Sequence, residues 1–123
     1  MTLQSIDPMI RSIGLPCAYY AFKKPEAGGM AQAPPYIVYL SPGRSDLFAD
    51  DTNYQHILDL DIELYTKTKR YDLEVAVETA LTNNGLTYGK TETFIESDGV
   101  FQITYETEIL ITYEDDTEEI IDG

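Results

Sequence analysis

The clearest pattern in the chain is a strict alternation of aliphatic and mostly acidic residues over residues 57–66. Its central positions read, in order, Leu58, Asp59, Leu60, Asp61, Ile62, Glu63, Leu64 and Tyr65. Successive side chains of a strand point to opposite faces of the sheet. The pattern therefore predicts a strand with one core face and one solvated face, and it places Asp59, Asp61 and Glu63 together on the solvated face.

A second periodic segment, residues 72–84, has the spacing of an amphipathic helix. Leu73, Val77 and Leu81 fall on one side of such a helix, while Glu74 and Glu78 fall on the other. The Asn-Asn-Gly sequence at residues 83–85 is typical of a helix end. We therefore expect the aliphatic side chains to be buried and both glutamates to face solvent.

Residues 3–13 predict a short N-terminal helix, because apolar residues recur there every three or four positions. A proline well inside a helix loses a hydrogen bond and clashes with the preceding turn. Pro8 is therefore expected to be the first helical residue, with Asp7 as the N-cap.

Aromatic and β-branched residues predict the remaining strands. Residues 17–24 and 36–40 are two of them, and Pro34-Pro35 before the second suits either an edge strand or the first residues of a strand. Residues 86–96 and 100–113 predict a hairpin around Ser97-Asp98-Gly99. The predicted fold class is α+β, with a mostly antiparallel sheet of four to five strands and two helices packed on one face.

The chain is strongly acidic, with 22 acidic and 8 basic residues among 123 and a formal net charge of -14. This balance repels phosphate groups and predicts no specific nucleic-acid binding. The length fits a single domain, which we place at residues 1–113. Residues 114–123 hold six acidic residues and only two isoleucines. They predict a flexible acidic tail, because so little apolar surface cannot offset the entropy cost of ordering.

Candidate catalytic and metal-binding residues are few. Cys17 and His56 are the only cysteine and histidine. They could form a catalytic nucleophile pair, but a lone cysteine is usually a small buried apolar group without a catalytic role. Asp59, Asp61 and Glu63 would lie about 6.8 Å apart along one strand face, too far to share an ion without outside ligands. We predict no enzyme activity, no metal and no cofactor. No signal peptide or membrane span is indicated, which predicts a cytosolic protein.

Residues 41–51, with the sequence SPGRSDLFADD, predict a polar surface loop that carries two exposed apolar residues. Loops with one or two apolar anchors suit docking to a partner. The candidate docking residues are Arg44, Asp46, Leu47, Phe48 and Asp50. A place in the core is the alternative for Phe48.

Several segments, taken in order, resemble one family of small phage proteins. They are APPYIVYL at residues 33–40, DLFADD at 46–51, LDIELYTK at 60–67, YDLEVAVETAL at 71–81 and TETFIESDGVFQITYE at 91–106. The set is similar to the tail completion, or tail terminator, proteins of long-tailed phages and prophages of Gram-positive bacteria. The resemblance covers residues 14–113 and rests on the order and spacing of the segments, because none of them is a catalytic signature.

The resemblance implies a structural virion protein with a small α+β fold. Such a protein forms a ring, expected here to be a hexamer, at the head-proximal end of the tail tube. It stops tube polymerisation and contacts the tail tube protein and the head-to-tail connector protein, after assembly in the host cytoplasm. Asp59, Asp61 and Glu63 are then expected to face the lumen, where acidic groups do not hold passing DNA. The alternatives are another connector component, such as a stopper or adaptor, and a host cytosolic acidic interaction module.

Overall fold

The computed structural model describes residues 3–23, 31–49 and 52–112, and these residues form an α+β fold. A short 3-10 helix, Leu3–Ser5, leads into α1 (Ile6–Arg11), and α2 spans Tyr71–Asn83. The strands are β1 (Cys17–Tyr19), β2 (Tyr36–Leu40), β3 (Arg44–Ala49), β4 (Thr52–Thr66), β5 (Tyr88–Ile95) and β6 (Val100–Thr112). The predicted α+β class, the long alternating strand, the second helix and the C-terminal hairpin are confirmed.

The strands form one mostly antiparallel sheet. Its main path runs in the order β1-β2-β4-β6-β5, and β1 and β2 are the one parallel pair among the described strands. β2 and β3 follow each other along the same side of β4, separated by residues 41–43. At this break the amide of Asp59 still donates to the Gly43 carbonyl at 2.9 Å. The long central strand β4 is therefore hydrogen-bonded on both sides over most of its length.

The prediction of a loop at residues 41–51 is wrong, because Arg44–Ala49 is the strand β3. The physical reason lies in β4, which begins at Thr52 rather than at the predicted residue 57. The extra length offers unpaired backbone groups, and β3 pairs with them from Arg44 opposite Leu58 to Ala49 opposite Thr52. Four of the candidate docking residues are thus strand residues: Arg44, Asp46, Leu47 and Phe48. The fifth, Asp50, lies outside the described residues, and so does the predicted tail at 114–123.

The structure decides the position of β2 and shortens the first predicted strand. Of the two positions that Pro34-Pro35 suits, an edge strand or the start of a strand, the second is found, because β2 starts at Tyr36 and lies between β1 and β4. The predicted strand at residues 17–24 is shorter than expected, because Tyr20 adopts φ +68° directly after β1. A non-glycine residue in this left-handed region interrupts an extended strand. The edge strands of the main path are β1, which has three residues, and β5, which has eight.

Both helices cover the same face of the sheet. That face of β4 contributes Leu60, Ile62 and Leu64, all at most 2 % exposed. The core cluster continues onto β2, β6 and the helices as Met9, Ile10, Ile37, Tyr39, Val77, Leu81, Ile103, Tyr105 and Ile109. Burial of each aliphatic side chain contributes about 1.5–3 kcal/mol. The opposite face of the sheet carries no helix among the described residues.

The start of α1 differs from the predicted capping arrangement. The helix begins at Ile6 after Ser5, so Asp7 is its second residue and not its N-cap. Asp7 instead pairs with Arg11 at 2.6 Å and accepts a hydrogen bond from the Tyr39 hydroxyl. Pro8 still lies in the first turn, where its missing N–H would have had no helical partner.

The expectation that Glu74 faces solvent is wrong, because its side chain is only 3 % exposed. Its two carboxylate oxygens meet Lys69 at 2.7 Å and Lys90 at 2.8 Å. Lys90 also pairs with Glu78 at 2.7 Å, and Lys69 pairs with Glu92 on β5. This ion-pair network ties α2 to the β5 side of the sheet.

Candidate functional site: an acidic sheet face

The three carboxylates predicted on one strand face lie together on the sheet face that the helices leave open. They alternate along β4 with the core residues Leu60, Ile62 and Leu64. β6 adds two more carboxylates through its register, with Glu106 opposite Asp61 and Glu108 opposite Asp59. We call Asp59, Asp61, Glu63, Glu106 and Glu108 the acidic face.

Like charges directly opposite each other on neighbouring strands destabilise a sheet. The acidic face contains two such pairs, and Gly89 of β5, opposite Glu106, adds no charge to the row. The pKa of Asp61 is raised by burial and by the charges of Glu106, Glu63 and Asp59. None of the described strand residues on this face is basic. Within the described strands, the negative charge of this face is therefore not compensated.

A surface cleft of about 450 Å³ lies along the centre of the acidic face. The cleft is lined by four carboxylates of the acidic face, those of Asp59, Asp61, Glu106 and Glu108, and by Pro42, Thr87, Tyr88, Gly89 and Thr107. Gly43 at the break between β2 and β3 stands close to this cleft, since an added Cβ would come within 2.9 Å of Asp59 Oδ2. Among the described residues, no group of three or more histidine, cysteine, aspartate or glutamate side chains is placed to hold a metal ion.

Aromatic residues border the acidic face toward the start of β2. Tyr36 and Tyr65 stack with ring centroids 4.8 Å apart, and Phe22 meets Tyr36 edge-on at 5.4 Å. The Tyr65 hydroxyl donates to Glu63 at 2.9 Å and accepts from Gln102 at 2.7 Å. Burial and the Glu63 hydrogen bond raise the pKa of Tyr65, so it stays neutral. These contacts fix the end of the acidic face.

Glu106 and Glu108 are the site residues that sequence reasoning missed. They alternate with Tyr105, Thr107 and Ile109 in the same way as the carboxylates of β4 alternate with leucines. That alternation was visible in the sequence. The register that sets them opposite Asp61 and Asp59 was not, because it depends on how the two long strands align.

Cys17 and His56 are not brought together. The row that contains Cys17 crosses β2 at Ile37 and β4 at Leu64. His56 lies eight residues from Leu64 along β4, which corresponds to about 26 Å. The two side chains cannot act as a nucleophile pair in this fold.

Comparison with protein-family models and with curated proteins finds no match for this chain. None of the described helices combines the length and the apolar character that a membrane crossing requires.

Proposed function

We propose that this protein is a tail terminator of a long-tailed phage. In this role it forms a ring at the head-proximal end of the tail tube, ends tube polymerisation and joins the tail to the head connector. The observation that carries the proposal is the acidic face, with five carboxylates and no basic side chain among the described strand residues around them. A ring wall of this composition repels phosphate, so DNA passes without being held.

The family resemblance supports the same role. Its segments coincide with β2, β4, α2 and the β5–β6 hairpin, which together supply most of the sheet and of the core. The similarity therefore concerns the whole architecture of the domain rather than one surface. The ring is expected to be a hexamer of this chain, with the tail tube protein on one side and the connector protein on the other.

The orientation of the subunit in the ring follows from which layer carries negative charge without ion-pair partners. The helix layer uses its acidic residues in ion pairs, as Glu74 and Glu78 do with Lys69 and Lys90. The acidic face has no such partners among the described residues. We therefore place the open sheet face toward the lumen and the helices on the outside.

The test is a phage in which the gene for this protein is deleted. Negative-stain images of the lysate should show headless tubes of uncontrolled length, and supplying the protein from a plasmid should restore tails of uniform length. Tubes of normal length that fail to join heads would instead indicate a stopper or adaptor. A fully infectious deletion phage would exclude any role in the virion.

A further inference from the structure

The outer edge of β5 is the longest open strand edge at the end of the main sheet path. β5 has eight residues, contains no proline, and pairs with β6 in an unbroken register. Residues 89–94 are exposed, and no strand among the described residues pairs with the outer side. Such an edge is a template for pairing with another chain, and natural proteins usually block it. The opposite edge is blocked in this way, because β1 is short and ends at the left-handed Tyr20.

We propose that the free protein forms a symmetric dimer in which β5 pairs antiparallel with β5 of a second copy, centred on Thr91. This register sets Lys90 opposite Glu92 of the partner subunit, and it does so twice because of the two-fold symmetry. It also sets Tyr88 opposite Phe94 of the partner subunit. Opposite charges, aromatic pairs and threonine pairs at directly opposed positions each stabilise a sheet.

The side chains involved are partly exposed at the strand edge. Lys90, Glu92 and Phe94 are exposed by 37 %, 43 % and 50 %, the first two measured on the side chain. Phe94 leans on Phe101 at 5.0 Å, and Tyr88 packs edge-on against Tyr105 at 5.4 Å. An aromatic ring from a second copy would therefore meet rings that are already held in place. The Lys90 ammonium already pairs with Glu74 and Glu78, and Glu92 pairs with Lys69. The contact between Lys90 and Glu92 of the partner subunit would therefore join the existing ion-pair networks of the two copies.

The sequence of β5 selects this register over its neighbours. Directly opposed residues of an antiparallel pair share a sheet face, so the centre of symmetry can move only in whole-residue steps. Centring on Lys90 would oppose two lysines, and centring on Glu92 would oppose two glutamates. Thr91 is the centre from which both charges of the strand meet their opposites.

The net charge of the chain does not prevent this contact. In the dimer the two sheets continue side by side, so the two acidic faces point the same way and stay in water. The nearest acidic strands, the two copies of β6, would be three strand spacings apart, about 14 Å. This separation exceeds the Debye length of about 8–10 Å at 0.10–0.15 M salt. The only charges on β5 itself are Lys90 and Glu92, which cancel.

The experiment measures the mass of the full-length protein by sedimentation velocity over a concentration series in 0.15 M salt. An edge-strand interface of this size is small, so we expect a dissociation constant in the micromolar range. The mass of the wild type should rise from 13.9 kDa toward twice that value. A wild type that stays monomeric up to about 500 μM overturns the proposal, since this limit lies far above that range.

Thr91→Lys and Thr91→Glu test the register. Each variant alone places like charges opposite each other at the centre, and each should dimerise at least tenfold more weakly than the wild type. An equimolar mixture should recover a heterodimer, because lysine then faces glutamate. The exposed Ala21, beside the opposite sheet edge, provides matched controls as Ala21→Lys and Ala21→Glu, and these should dimerise like the wild type. A mixture of the Thr91 variants that associates no better than either alone overturns the register.

Discussion

Glu74 offers the sharpest test of how the helix layer is held to the sheet. Its carboxylate is 3 % exposed and has two lysine partners, at 2.7 and 2.8 Å. Burial alone raises the pKa of Glu74, but the contacts with Lys69 and Lys90 and their charges outweigh burial and lower it. The folded state therefore favours the ionised carboxylate.

Replacing Glu74 with glutamine removes the charge and keeps the shape. A charge-assisted hydrogen bond contributes about 1.5–3 kcal/mol when buried. The contacts of Glu74 with Lys69 and Lys90 are ion pairs, and the Lys90 contact lacks hydrogen-bond geometry. Because the lysine side chains are 30 % and 37 % exposed, each ion pair is discounted to about 1 kcal/mol. We expect Glu74→Gln to lower the free energy of unfolding by about 2 kcal/mol, a fall of about 6–10 °C in melting temperature for a domain of this size.

Urea unfolding at pH 7 measures this difference, with the slope of the transition checked for constancy. Glu92→Gln is the matched control, because Glu92 pairs with the same Lys69 but is 43 % exposed, and it should cost less than about 1 kcal/mol. A lowered carboxylate pKa gives stability that is present above the unfolded pKa and lost as the pH falls through the folded one. The gap between wild type and Glu74→Gln should therefore close in acid. Equal stability at pH 7 would refute the reasoning.

Three further predictions concern the two faces of the sheet. Asp61→Asn should raise stability at pH 7 by about 0.2–1 kcal/mol, because it removes a like-charge pair with Glu106. The pKa of Asp61 is raised on folding, so the wild type gains stability as the pH falls through the folded-state pKa. Urea unfolding at pH 4 should therefore show a smaller gain for Asp61→Asn than at pH 7. A loss of stability in Asp61→Asn at pH 7 would contradict the like-charge argument. Tyr105→Phe should cost about 1.5 kcal/mol in the same assay, because the buried Tyr105 hydroxyl donates to Glu78 at 2.8 Å, and an unchanged midpoint would show that this bond contributes nothing. Reversing all five acidic-face charges to lysine should give the proposed ring a DNA affinity that falls steeply with salt, and the absence of such binding would contradict the lumen assignment. Reversing only the three on β4 should give far less affinity, because Glu106 and Glu108 then lie opposite two of the new lysines.

Local patterns in the sequence were sufficient to predict the elements in which apolar and polar residues alternate with the period of a strand or a helix. The alternation around Leu60 and the helical spacing around Val77 predict both the element and its buried face, and the structure confirms them. β3 was missed because Arg44–Ala49 is polar at its start and carries no clear alternation. It is a strand because β4 extends far enough to pair with it.

The buried position of Glu74 shows the same limit. A glutamate on an amphipathic helix normally faces water, and nothing in residues 71–83 says otherwise. Its burial depends on Lys90, which comes from the adjacent strand β5 of the folded sheet, and on Lys69 in the connection before the helix. The pairing with Lys90 is set by the tertiary fold, so the periodicity of the helix sequence could not predict it.

Basic residues compensate the acidic residues of the helix layer but not those of the acidic face. Lys69 and Lys90 lie among the acidic residues of α2 and β5, where they compensate a buried carboxylate. The acidic face receives no such compensation from the described strand residues, although two of its pairs lie directly opposite each other at a cost in stability. One lysine on β6 in place of Glu106 would turn such a pair into an attractive one. In the proposed ring this surface would face passing DNA that must not be held, and that role would account for a cost that the fold itself does not require.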